Sequence, residues 1–197
     1  IDSVWKGPVY LPYLQPPLTA EIVRRAEHQL GVTLPPSYLD LLAEQNGGYV
    51  RRTLAGTVHS KISGIGPYFP SLSGDEYQSG LPIHEEGLWL PKDPSGLIAF
   101  DGDGHWFLCL DYRARGPHAE PGVAYVDLEL ESERSVASSF TGFLALLTEE
   151  IALGTLGIVG ETTLEAAADR LAEALRVRFE GPDTFSHGYP EYRFRLG

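Results

Sequence analysis

Sulfur is almost missing from the reactive inventory of this chain, whose one cysteine is Cys109. A lone thiol excludes an intrachain disulfide and every metal site built on several thiolates, and it leans towards a reducing compartment. Basic residues are scarce too: 15 Lys and Arg stand against 27 Asp and Glu, a formal charge of -12. A field of that sign repels phosphate backbones, so direct binding to DNA or RNA is disfavoured, while a basic protein partner is attracted. No apolar run reaches the length of a membrane span. Ile1 opens no basic-then-apolar leader, so no secretory signal is read and a cytoplasmic location is expected. Signatures of nucleotide and acyl chemistry are missing as well. No Gly-Lys-Ser/Thr run occurs and no Gly-x-Ser-x-Gly elbow. The pairs Gly64/Gly66 and Gly102/Gly104 fail the dinucleotide fingerprint, because Phe69 and Phe107 stand where its third glycine belongs.

What is present suffices for a globular core. The 197 residues are 43% hydrophobic, and a chain of this length buries about 70% of its unfolded surface. Residues 18–48 carry the clearest pattern. Ile22, Val23, Ala26 and Leu30 recur at helical spacing, with Glu21, Arg24, Arg25 and Glu27 on the opposite side. Gly31 should stop that helix, because glycine takes a left-handed C′ position at no steric cost. Pro36 suits the first position of a second helix, whose buried face is Tyr38, Leu41 and Leu42, and Asn46, Gly47 and Gly48 should end it.

Glu27, Leu30, Gly31, Leu34, Pro35, Tyr38, Leu41, Leu42, Asn46, Gly47 and Gly48 together resemble the signature of the SUKH superfamily, which holds bacterial immunity proteins and fungal Smi/Knr-type cell-wall regulators. Residues 97–112 (LIAFDGDGHWFLCLDY) and 136–144 (VASSFTGFL) fit the same pattern, so the likeness spans roughly residues 18–150 in the family's order.

Elsewhere the chain is read from its own residues. Pro8, Pro12, Pro16 and Pro17 prevent a helix, so residues 1–18 should form an extended arm whose aromatics, Trp5, Tyr10 and Tyr13, strap the core. Residues 49–54 and 57–62 read as a hairpin around Ala55 and Gly56. Residues 63–96 are rich in Gly, Pro and Ser, and a connection this long is a natural place for recognition. Two Asp-Gly pairs at 101–104 mark a second hairpin, and the strand after it is apolar on both sides, hence central in the sheet. Cys109 within it should be an inert packing thiol. Residues 123–133 alternate as one half-buried strand carrying Asp127, Glu129 and Glu131 on its wet side. Residues 136–153 read as a third helix capped by Ser138 or Ser139. Thr162 and Glu165 form a capping box for a fourth helix, and residues 192–196 read as a closing strand.

The expected fold is therefore α+β: a mostly antiparallel sheet with amphipathic helices packed against it. Residues 1–155 would be the SUKH-like domain with its proline-rich arm, and residues 156–197 a helix-strand extension through which self-association is open. Asp101, Asp103, His105 and Asp111 form the one cluster with a metal flavour, but the later ligand positions of a calcium loop are His105 and Tyr112, so a plain turn is favoured over a metal site. No cofactor and no catalytic residue is assigned. The resemblance implies a non-catalytic protein that binds and neutralises a cognate toxin such as a nuclease, with a regulatory or scaffold role as the alternative. A third possibility is a hydrolase built near Asp101 and His105, and a spatial triad between loop serines and His59 or His84 stays open. The partner-facing set is expected to be Asp75, Glu76, Glu85, Glu86, Asp101 and Asp103, because carboxylates on loops suit a basic surface.

Overall fold

The computed structural model describes residues 3–54, 57, 59–73, 81, 89–149, 164–176, 178–186 and 189–194. The chain divides into two compact units, Ile1–Glu149 and Glu150–Gly197.

The first unit opens with the proline-rich arm, which is strapped to the core by main-chain bonds on both sides of Trp5. Lys6 N–H donates to Tyr49 O at 2.9 Å, and Arg51 N–H donates to Val4 O at 2.9 Å. Trp5 itself is buried, and Tyr10 and Tyr13 pack with Tyr49 at ring distances of 5.6 and 5.1 Å. Helix α1, Ala20–Leu30, starts where Thr19 Oγ1 accepts from Ile22 N–H and ends where Gly31 adopts φ 70°. That stop is the left-handed glycine cap the sequence calls for. Helix α2, Pro36–Glu44, has proline in its first turn and buries Tyr38, Leu41 and Leu42.

Strands β1 (Gly48–Tyr49), β2 (Arg52–Leu54) and β3 (Lys61–Ile62) correct the expected simple hairpin. β1 pairs with β3, but β2 leaves them to pair with a segment almost a hundred residues away. The main sheet runs β4 (Leu97–Gly102), β5 (Trp106–Asp111), β6 (Gly122–Asp127) and β7 (Ser132–Ala137), antiparallel and in sequence order. β5 is central, as its two-sided apolarity requires: Trp106, Leu108 and Leu110 face the helices, while Phe107 and Cys109 face a second cluster with Leu97, Ala124 and Val126. Burial pushes the Cys109 thiol well above its ordinary pKa, so it stays protonated and inert.

The single strand expected over 123–133 is two strands. Asp127 Oδ1 accepts from Leu130 N–H at 2.8 Å and Glu131 takes φ 47°, so the chain turns back at 128–131. An aspartate closing its own turn outcompetes the alternation that continued through Leu128 and Leu130. The third helix is shorter than its periodicity suggests. α3 spans Phe140–Leu146, capped by Ser139 Oγ accepting from Gly142 N–H at 3.0 Å, because Ser132–Ala137 is already in the sheet. After it Leu147–Glu149 extends as β8, the partner of β2.

The second unit holds α4 (Leu164–Leu175) followed by a hairpin of β9 (Phe179–Ser186) and β10 (Tyr189–Phe194), where one closing strand was expected. In α4, Ala166, Leu171 and Ala172 are half-buried while Asp169, Arg170 and Glu173 are exposed. Thr162 of the expected capping box lies outside the described residues.

Candidate functional site

Two neutral amide side chains fix the segment that walls the site. Asn46, at the end of α2, donates from Nδ2 to Pro16 O (2.6 Å) and Ile65 O (2.9 Å), and its Oδ1 accepts from Ile65 N–H (2.8 Å). Gln15 donates to Pro70 O at 3.1 Å and to Tyr68 O, and accepts from Tyr68 N–H at 3.0 Å. Arm, helix end and the 64–72 segment are thereby clasped together, and each buried amide is well satisfied. The sequence shows Asn46 as a helix stop, but its second role depends on residues it meets only in three dimensions. Gln15 carries no local signal at all.

That segment faces the β4–β5 hairpin across a cleft of about 420 Å³, lined among others by Tyr13, Lys61, Phe69, Leu72, Asp101 and Asp103. At its base lies a buried charged group. Asp101 Oδ2 sits 2.7 Å from His59 Nδ1, and Asp101 Oδ1 sits 3.0 Å from Lys61 Nζ, with the His59 and Asp101 side chains fully shielded from solvent. Ser60 N–H (3.2 Å) and Gly102 N–H (2.8 Å) also donate to this carboxylate, and Lys61 Nζ donates to Gly102 O at 2.6 Å. A buried carboxylate needs this many donors to be held inside the fold.

Asp101 thus departs from its expected place among the partner-facing residues. β4 carries a bulge between Ala99 and Asp101, so Asp101 pairs with Leu108 rather than with Phe107. Cross-strand partners share a face, and Leu108 points to the helices; one extra residue in the strand rotates Asp101 inward. Asp103 remains outside. It is exposed at the tip of the turn, and its Oδ1 accepts from His105 N–H (2.9 Å) and Trp106 N–H (3.2 Å). Partial burial raises its pKa, but those donors outweigh it and hold the carboxyl below its ordinary range. Asp75, Glu76, Glu85 and Glu86 lie outside the described residues.

The proposed hydrolase pair is also separated. Exposed His105 meets Glu129 at 3.0 Å, while Asp101 is committed to His59 and Lys61. His59 has the aspartate of a triad, but its Nε2 is buried without a hydrogen-bond partner among the described residues, and its ring packs on Phe143 at 5.4 Å. Among the described residues no hydroxyl nucleophile, which a triad requires, meets Nε2, and Ser79 and His84 lie outside the described residues.

Helices α1 and α2 lead into a four-stranded antiparallel sheet, and an acidic-tipped hairpin with a clasped segment opposite it opens a cleft. The class so defined is an α+β domain whose polar groups at the cleft base are bonded to one another. The sequence model of the SMI1 / KNR4 family (SUKH-1) matches residues 17–146, and the chain belongs to that family. No curated protein and no solved structure matches it. Among the described residues, no helix is long and apolar enough to cross a membrane.

Proposed function

We propose that the chain is a non-catalytic protein-binding domain, a cytoplasmic bacterial immunity protein that neutralises a basic cognate toxin such as a nuclease. The observation that carries this reading is membership of the SMI1 / KNR4 family across residues 17–146, taken with the acidic excess of twelve charges. Toxin surfaces that hold phosphate are basic, and a carboxylate-rich face can occupy them. Asp75, Glu76, Glu85, Glu86 and Asp103 are assigned to that face. Asp101 is left out because its carboxylate is spent inside the fold. Residues 156–197 are taken as an extension separate from the binding domain.

The test is a pull-down with the toxin domain encoded beside this chain. Reversing the five charges to lysine is expected to abolish capture while the circular-dichroism spectrum is unchanged. Undiminished capture by the reversed variant sinks the assignment of the face. The lack of any toxin reading frame beside the gene would favour the regulatory role instead.

A further inference from the structure

We propose that the cleft between the 64–72 segment and the β4–β5 hairpin receives an arginine side chain of the protein partner, with the guanidinium seated between the aromatic wall and the Asp103 carboxylate. The inference rests on the protein-binding reading above and specifies what that partner inserts.

Size comes first. At about 420 Å³ the cleft lies in the lower part of the range of ligand pockets, ~300–1,000 Å³, so it suits a side chain better than a helix or a sheet edge. Its walls come next. Tyr13 and Phe69 line it, and Tyr13 is held in place by contacts with Tyr10 and Tyr49 at 5.0 and 5.1 Å. Planar rings favour a planar, weakly hydrated cation over an ammonium.

Charge decides the sign of the guest. Among the described residues, Lys61 is the cation that lines the cleft, and its ammonium is engaged by Asp101 Oδ1 and Gly102 O. Asp101 is compensated in the same contact, and its other oxygen is taken up by His59 Nδ1. Among the described residues that line the cleft, that leaves Asp103 as the charge with no ion-pair partner in the cleft, held ionised mainly by the turn's own N–H donors. The field of the chain, at -12, draws cations and repels anions from the same opening. A carboxylate-bearing guest would need the Lys61 charge that Asp101 already holds.

The probe is the tripeptide acetyl-Gly-Arg-Gly-amide, titrated into the full chain and followed by two-dimensional amide NMR. Its controls replace arginine by citrulline, which has the same shape without the charge, or by glutamate. The expected result is saturable millimolar binding that shifts the amides of Ser71, Gly102, Asp103 and Gly104. It should be about tenfold weaker for Asp103→Asn and for the citrulline peptide. Asparagine keeps an acceptor oxygen for the His105 and Trp106 N–H groups, so the turn survives that substitution. Equal shifts with citrulline, stronger binding of the glutamate peptide, or arginine shifts scattered over the acidic surface would each overturn the proposal. A chain that captures its toxin yet ignores the arginine peptide removes the cleft and keeps the function. One that takes the peptide in the cleft while reversal of Asp75, Glu76, Glu85 and Glu86 alone leaves toxin capture intact keeps the cleft and removes those four residues from the assigned face.

Discussion

Asp101 shows what one side chain is asked to do when it is turned inward. Its two oxygens gather His59, the Lys61 ammonium and the backbone N–H groups of Ser60, Lys61 and Gly102, tying the start of β3 to the end of β4. Removing one partner of a buried ionic group strands the others without compensation, which costs about 3–5 kcal/mol. Asp101→Ala is therefore expected to lose about 3 kcal/mol or more in urea denaturation, and a loss below about 1 kcal/mol would contradict the role given to it here. Residues whose task is local were legible: Thr19, Gly31, Pro36 and Ser139 act within four positions of themselves, where spacing alone defines the partner. The His59–Asp101 contact bridges 42 positions, and no periodicity announces it.

Elements were legible where one pattern acted alone and misread where two competed. β5 was readable because both of its faces are apolar. The β6–β7 hairpin was not, since alternation ran on through Leu128 and Leu130 while Asp127 was closing a turn. α3 was overextended for the opposite reason: Leu147 fits a helical repeat, but its backbone is taken by β2. The junction of α2 with the cleft wall depends on backbone approach. A Cβ on Gly64 would stand 2.3 Å from Asn46 O, whereas one on Gly7 would meet nothing within 4 Å. Gly64→Ala should thus force main chain from main chain and destabilise by about 2 kcal/mol in thermal unfolding, with Gly7→Ala near neutral as its control. Equal midpoints for the two variants would show that this contact is not tight.

At the scale of the whole molecule, the first unit closes a core of its own. Buried side chains from Trp5 to Leu147 form its two clusters, and β8, the last strand of the unit, completes the pairing of β2. A chain ending at Glu149 is expected to keep a cooperative thermal transition within a few degrees of the full-length midpoint, as judged by scanning calorimetry. A broad, non-cooperative melt would mean that residues 150–197 are needed for folding. The family likeness was legible in the sequence because its motifs are caps, turns and core positions. The cleft did not follow from them, since it arises where a strand bulge and an amide clasp meet.

That clasp has a practical corollary. Gln15 and Asn46 hold the arm and the cleft wall through uncharged donors and acceptors. Such bonds are indifferent to ionic strength, unlike an attraction between opposite surface fields. Concentrated salt should accordingly strip a cationic guest from the protein and leave the receptor's architecture undisturbed, so that release and reloading become a matter of buffer alone.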